Sequence, residues 1–287
     1  MDGMTGQNAA GLDIRPLAGA LGAEVLGVDL SDLDASGFEA VHRAFLDHQV
    51  LVFREQDLDP EGYVDLARRF GDPVPYPFAG GFNSYPEITR IVKEAEQTSN
   101  FGGMWHSDTT YKAEPPKATM LLARETPAAG GDTLFACQHR AYQTLSPPLQ
   151  CFLRGLRGIS SSNKNAGQLR LNHMDTGSMQ LKAADQVLSA LHPAVRKHPE
   201  TGRAALYVNR AHTVAFEGMT EAESRPILEF LFQHQIQPEF TARVRWAPGT
   251  LVIWDNRSAQ HVAINDYDGH RREMWRITLA GDVPVAA

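Results

Sequence analysis

Trp105-His106-Ser107-Asp108 is the segment whose residue types and spacing are best suited to chemistry. On a strand, residues i and i+2 point to one face, so His106 and Asp108 can grip a single ion. A third ligand must then come from elsewhere, and His261, closing the stretch from Val252, is the best candidate. Two histidines and one carboxylate on one face of an octahedral ion leave three positions open, the arrangement of non-haem iron oxygenases. The triplet alone is also open to a plainer reading, in which His106 is a core histidine held by Asp108.

A second set of candidates lies in Arg272-Glu273-Met274-Trp275-Arg276-Ile277-Thr278. If this is a strand, Arg272, Met274, Arg276 and Thr278 share one face, and Trp275, Ile277 and Leu279 share the other. Two inward arginines are costly without anionic partners. Guanidinium is suited to holding a carboxylate through two parallel hydrogen bonds. The alternative is an edge strand whose arginines pair with exposed acids.

The elements that must position these residues are mostly strands. Apolar runs predict strands over Ala23–Leu30, Val50–Phe53, Ala118–Ala123, Thr133–Ala136, Ala204–Asn209, Ala242–Trp246, Thr250–Trp254 and Glu273–Ala280. Helices are expected at 36–48, with Ser36 as N-cap, and after Asp59-Pro60, with Gly71 closing the second. Thr220 and Glu223 form a capping box ahead of the stripe Ile227, Phe230, Leu231. Ser160–Met179 is polar and without period, the pattern of a lid or binding loop. No internal repeat or linker interrupts the chain. The pattern predicts one domain over residues 1–287, with 1–11 a disordered tail. Its class is mixed α/β (α+β): a double-stranded β-helix (jelly-roll) core braced by helices.

Composition narrows the partners. The 287 residues are 43% apolar and 21% charged, with a formal net charge of −7 and no block of like charges. A nucleic-acid or membrane partner is therefore not expected, and an anionic ligand must be met by individually placed arginines. Cys137 and Cys151 have no metal or redox spacing, which fits a reducing cytoplasm. Neither a signal core nor a bilayer-length apolar run occurs. His42, His48, His198, His234 and His270 read as solvent-facing residues outside the metal set.

Taken together, these residues resemble the taurine dioxygenase and phenoxyacetate-herbicide dioxygenase (TauD/TfdA) family. Its pattern is His-x-Asp, a Thr or Ser about 25 residues on, a distal His, and an Arg about 11 beyond it. Here 24 residues separate Asp108 from Thr133, and ten separate His261 from Arg272. The likeness extends from about Leu12 to Asp282, through Leu21–Leu30, Arg69-Phe70-Gly71, Tyr207-Val208-Asn209 and Trp254-Asp255-Asn256-Arg257.

The resemblance implies Fe(II) on His106, Asp108 and His261, with 2-oxoglutarate chelating the iron and O2 as oxidant. Arg272 and the Thr133 hydroxyl would hold the far carboxylate of 2-oxoglutarate. Arg276 would meet the anionic group of a small organic substrate, such as an aryloxyalkanoate, sulfonate, alkyl sulfate or other carboxylate. His212 would line that pocket. The outcome would be hydroxylation, with bond cleavage where the hydroxylated carbon bears a heteroatom. Tyr76 stands where the taurine enzyme has a histidine for the sulfonate, and Val262 where herbicide enzymes tend to have Arg, so membership does not imply either substrate. Family members often form dimers or larger assemblies, so a homo-oligomer is within the expectation. The rival readings are a non-catalytic metal-binding jelly-roll protein and a metal-dependent hydrolase. The first leaves Thr133, Arg272 and Arg276 without a task, and the second lacks paired carboxylates.

Overall fold

Burial on both faces explains how the strands stack. Every residue of Val50-Leu51-Val52-Phe53 is buried, which requires a layer on each side. Leu51 and Phe53 join one apolar cluster, and Val50 and Val52 join another. The computed structural model describes residues 11–75, 81–82, 84–164 and 187–287.

The chain begins with β1 (Asp13–Pro16), β2 (Ala23–Leu26), α1 (Ala35–His48), β3 (Val50–Phe53) and α2 (Pro60–Phe70). Next come β4 (Pro73–Val74), β5 (Gly81–Phe82), β6 (Tyr85–Lys93), β7 (Ala118–Glu125), β8 (Thr133–Cys137), α3 (Gln138–Gln143) and α4 (Pro147–Arg154). β9 (Arg157–Ser161), β10 (Ser189–Pro193), β11 (Val195–Lys197), β12 (Ala204–Leu206) and β13 (Thr213–Phe216) precede α5 (Glu221–His234). The last strands are β14 (Thr241–Val244), β15 (Leu251–Asp255), β16 (Ala259–Ala263), β17 (Arg272–Leu279) and β18 (Val285–Ala286).

The largest sheet has the order β1-β2-β3-β15-β7-β17-β6-β5, with β4 also paired to β17. Among the described residues, its one parallel pairing is β2–β3. Strands from both ends of the chain thus interleave. A smaller sheet, β14-β8-β16, shares a cluster with it: Phe135, Ala242 and Val244 pack with Val52, Val252 and Met274. The opposite face of the large sheet is covered by α1 and α2. Val41, Phe45, Val64 and Phe70 pack there on Leu51, Leu122, Ile253 and Ile277. Burying each such side chain contributes roughly 1.5–3 kcal/mol. Two further three-stranded sheets, β10-β9-β13 and β12-β11-β18, complete a mixed α/β architecture of several sheets and few helices.

Several boundaries differ from expectation. α1 is capped by Asp34 rather than Ser36: the Asp34 carboxylate accepts the Gly37 N–H at 2.7 Å, and the Ser36 hydroxyl donates to it. β2 stops at Leu26 because Gly27 turns the chain at φ 68°. The strand expected over Ala204–Asn209 ends at Leu206. On α5 the capping box forms, but Phe230 turns outward and stacks on His234, leaving Leu228, Leu231 and Phe232 as the buried face. Asp59 and Gly71 bound α2 as the sequence predicts. Cys137 and Cys151 are both free thiols. No helix among the described residues is long and apolar enough to cross a membrane.

Candidate active site

His106 and His261 are brought together by a single antiparallel bridge. The His106 N–H donates to the His261 carbonyl at 3.1 Å, and the reverse bond spans 2.8 Å. Residues exchanging both bonds present their side chains to the same face, and the two imidazole centroids lie 4.2 Å apart. The expected strand through Asp108 does not form. After the His106 bridge the chain enters a turn, with Thr109 in the left-handed region at φ 41°. That conformation costs a β-branched residue of order 1–3 kcal/mol and persists only where the surroundings enforce it. The turn, rather than strand alternation, delivers Asp108 to the two histidines.

One ligand atom from each of His106, Asp108 and His261 lies within 4.8 Å of the others, and all three residues are buried. Their chemistry fits a divalent cation. His106 Nδ1 lies 2.6 Å from the Met104 carbonyl; a carbonyl only accepts, so Nδ1 carries the proton. The other ring nitrogen, Nε2, is turned to Asp108 Oδ1 at 3.6 Å. Burial, aided by the neighbouring His106, holds His261 well below the usual imidazole range, so it is neutral and able to ligate. Burial opposes ionisation of Asp108, but the Arg276 guanidinium beside it outweighs burial and keeps the carboxyl ionised. Among the described residues, His261 Nδ1 is a buried nitrogen with no hydrogen-bond partner.

Two arginines on β17 face inward, as the alternation predicts. Arg272 and Arg276 are 7% and 4% exposed, and four residue steps along the strand set their Cα atoms about 13 Å apart. Arg276 reaches the triad, its guanidinium 2.7 Å from Asp108 Oδ1. Arg272 enters a different environment, 5.7 Å above the Trp246 ring and 5.9 Å from that of Tyr267. A small pocket opens onto it, lined also by Lys93, Ser99, Asn100 and Phe101. Burial pushes the Arg272 guanidinium down, with Tyr267 and Asp132 opposing, and its Nε finds no partner among the described residues. Trp246 links Arg272 to Thr133, donating Nε1–H to the Thr133 hydroxyl oxygen at 3.0 Å. The hydroxyl proton of Thr133 is thereby left for another acceptor.

His212 stands beside the triad, 6.2 Å from the His106 ring and edge-on to Tyr111 at 5.0 Å. Burial pushes it down to about 3, so it is neutral. Tyr76 lies outside the described residues, as does most of the proposed lid, of which only 160–164 are described.

His198 corrects the sequence reading: it is 1% exposed, not solvent-facing. Its Nε2–H donates to Asp255 at 2.8 Å, while Nδ1 accepts the N–H groups of Glu200 and Thr201. His42, His48 and His234 are half-buried, and His270 alone of that group is exposed. The sequence reading also passed over Thr119, Asn256, Trp246 and Tyr267. The available signal for Thr119 was a polar residue inside an otherwise apolar strand, and for Asn256 a polar run directly after one.

Two imidazoles and a carboxylate drawn together in a buried cluster are a donor set that fits a divalent cation, with two buried arginines on the adjoining strand β17. The comparisons agree with that class. The chain matches the family model described as "Taurine catabolism dioxygenase TauD, TfdA family" over residues 13–278. It is 36% identical to an alpha-ketoglutarate-dependent sulfate ester dioxygenase of Pseudomonas putida, over 98% of this chain and 93% of that one. It is 35% identical to an (S)-phenoxypropionate/alpha-ketoglutarate dioxygenase of Sphingobium herbicidovorans, over 94% and 95%. A crystal structure of a taurine dioxygenase from Burkholderia xenovorans superposes with a TM-score of 0.82 at 35% identity, covering 96% of this chain and 91% of that one. The chain belongs to the TauD, TfdA family. It is accordingly an oxidoreductase, a dioxygenase dependent on iron(II), 2-oxoglutarate and O2. That assignment replaces the reading of a non-catalytic metal-binding protein.

Proposed function

We propose that this dioxygenase oxidises a small organic anion at a C–H bond beside the anion-bearing group, with organic sulfates and aryloxycarboxylates as the substrate classes. The supporting observation is the separation of Arg272 from Arg276 on one strand face. One carboxylate does not span about 13 Å, so the two cations suit two different anions. The relatives' activities toward a sulfate ester and a phenoxypropionate point the same way.

In this reading His106, Asp108 and His261 hold the iron. Bound there, iron with 2-oxoglutarate and O2 supplies the oxidant, giving succinate, CO2 and one oxygen atom for the substrate. The chain's own residues bind and orient. Arg272 pairs with the far carboxylate of 2-oxoglutarate, and Thr133, its oxygen fixed by Trp246, donates its proton to the same group. Arg276, standing against Asp108, fixes the substrate's anionic end next to the metal. His212 and Tyr111 close that side with a neutral, water-excluding wall. Positioning of this kind sets the rate, since a misplacement of about 1 Å costs roughly a hundredfold. Where the hydroxylated carbon bears oxygen, the product collapses to a carbonyl and releases the sulfate or phenol.

We further take the architecture as a jelly roll within one catalytic domain. The β14-β8-β16 sheet packed on the large one, and the interleaving of β3 with β15, support that view.

Anaerobic addition of Fe(II) and 2-oxoglutarate should produce the weak visible band of the chelate, and His261→Ala should abolish it. Admitting O2 with a panel of sulfates, sulfonates and carboxylates should raise succinate formation for the true class. Absence of both signals in folded, iron-loaded protein would sink the proposal.

A further inference from the structure

We infer that Thr119 and Asn256 form a clamp that restricts Asp108 to a single ligating oxygen. The inference rests on the reading of Asp108 as a metal ligand. Thr119 is fully buried on β7, and Asn256, 1% exposed, sits in the turn between β15 and β16. The Thr119 hydroxyl donates to Asp108 Oδ2 at 2.6 Å, and the Asn256 amide donates to the same oxygen at 3.2 Å.

Proton bookkeeping leaves this network one arrangement. Asn256 Oδ1 accepts the Trp254 indole N–H at 3.1 Å and the Asp108 backbone N–H at 3.3 Å. Its carbonyl end is therefore fixed, and the NH2 end must face Thr119 and Asp108. That amide also donates to Thr119 Oγ1 at 3.0 Å. With its oxygen so occupied, Thr119 can send its one proton only to Asp108. Oδ2 thus takes two hydrogen bonds, one of them short and charge-assisted. Oδ1 is the oxygen beside His106 Nε2 and Arg276.

The consequence concerns how many coordination positions remain. A carboxylate gripping through both oxygens would occupy two positions and leave too few for a bidentate co-substrate and O2. The clamp prevents this, because Oδ2 would have to abandon the buried Thr119 hydroxyl proton and the second N–H of the Asn256 amide, whose first N–H is already given to Thr119. Asn256 also holds the Asp108 backbone, so it positions both ends of the residue. Both are positioning residues, acting through Asp108.

The test uses the full chain and Mn(II) as probe, with free Mn(II) read by electron paramagnetic resonance. Thr119→Val keeps the shape and removes the donor; it should weaken Mn(II) binding about 10- to 100-fold. It should also raise the ratio of succinate formed to substrate oxidised, because a mobile carboxylate uncouples the two half-reactions. Thr119→Ser restores the hydroxyl and should recover both readouts, which a merely structural role would not require. Mn(II) affinity and coupling at wild-type values in folded Thr119→Val would overturn the clamp. Asp108→Ala separates the two levels: if it binds Mn(II) like wild type, the ligand assignment itself is wrong. If Asp108→Ala loses the metal while Thr119→Val and Asn256→Ala keep it, only the clamp fails.

Discussion

Replacing Arg272 with Met isolates what the buried guanidinium is for. The methionine side chain preserves an apolar stem between Trp246 and Tyr267 while removing the charge and all donors. Two parallel charge-assisted hydrogen bonds to a carboxylate, at roughly 1.5 kcal/mol or more each, sum to about 3–4 kcal/mol. At 1.4 kcal/mol per decade, the 2-oxoglutarate dissociation constant should rise between about a hundredfold and a thousandfold. Folding should respond in the opposite direction. Arg272 Nε is buried without a partner among the described residues, and such an atom costs roughly 1–3 kcal/mol. Arg272→Met should therefore be as stable as the wild type or more so. The assay is an anaerobic titration of the iron chelate band with 2-oxoglutarate, beside a urea melt of the same protein. Unchanged affinity would refute the assignment of Arg272. Lost affinity with a large drop in stability would show Arg272 to be a structural cation and refute the reasoning equally.

Arg276→Ala should raise the substrate KM by about a hundredfold or more while leaving the 2-oxoglutarate dissociation constant within about threefold; equal effects on both would remove the division between the arginines. His139 reports on acid stability. Burial pushes it down to about 4 from an ordinary 6.5, so its contribution is complete above pH 6.5 and is lost as pH falls toward 4. By pH 5 the loss from this residue is about 2 kcal/mol. Replacing it with Gln should flatten the fall of the urea midpoint between pH 7 and 5, and an unchanged pH slope would contradict the assignment.

What the sequence conveyed well was whatever depended on period. The two-face reading of β17 put Arg272, Met274 and Arg276 on one face and Ile277 and Leu279 on the other, and the packing follows that division: Met274 joins one buried cluster, Ile277 and Leu279 the other. The caps at Asp59, Gly71 and Thr220 were equally legible, because each is a local hydrogen-bond solution. The triad was legible in membership but not in mechanism. His-x-Asp suggested strand alternation, whereas a bridge and a left-handed turn do the work. Non-local pairing of this kind leaves no mark on a short window of sequence. His198 was misread for the same reason: its partner Asp255 lies 57 residues away. The clamp on Asp108 draws Thr119 from a strand and Asn256 from a turn 137 residues away, and neither residue type announces such a task.

The turn that carries Asn256 is itself held by charge. Asp255 receives Arg257 through its backbone N–H and side chain at 2.7–2.9 Å, and His198 at 2.8 Å. Arg257 continues to Glu200 at 2.6 Å. Burial opposes ionisation of Asp255, but Arg257 and His198 hold its carboxyl far below the usual range. Asp255→Asn would leave Arg257 buried without its main counter-charge, a loss of about 3–5 kcal/mol. Leu153→Ala, in the separate cluster around α5, should cost a similar 2–5 kcal/mol by opening a cavity. If Asp255 acts through Asn256 on Asp108, Asp255→Asn should weaken Mn(II) binding tenfold or more, and Leu153→Ala should leave it near wild type. Both variants would be titrated in native buffer, with urea melts to match their stabilities. Equal Mn(II) affinities would mean that the buried ion pair supports the fold alone and that the metal site is indifferent to it.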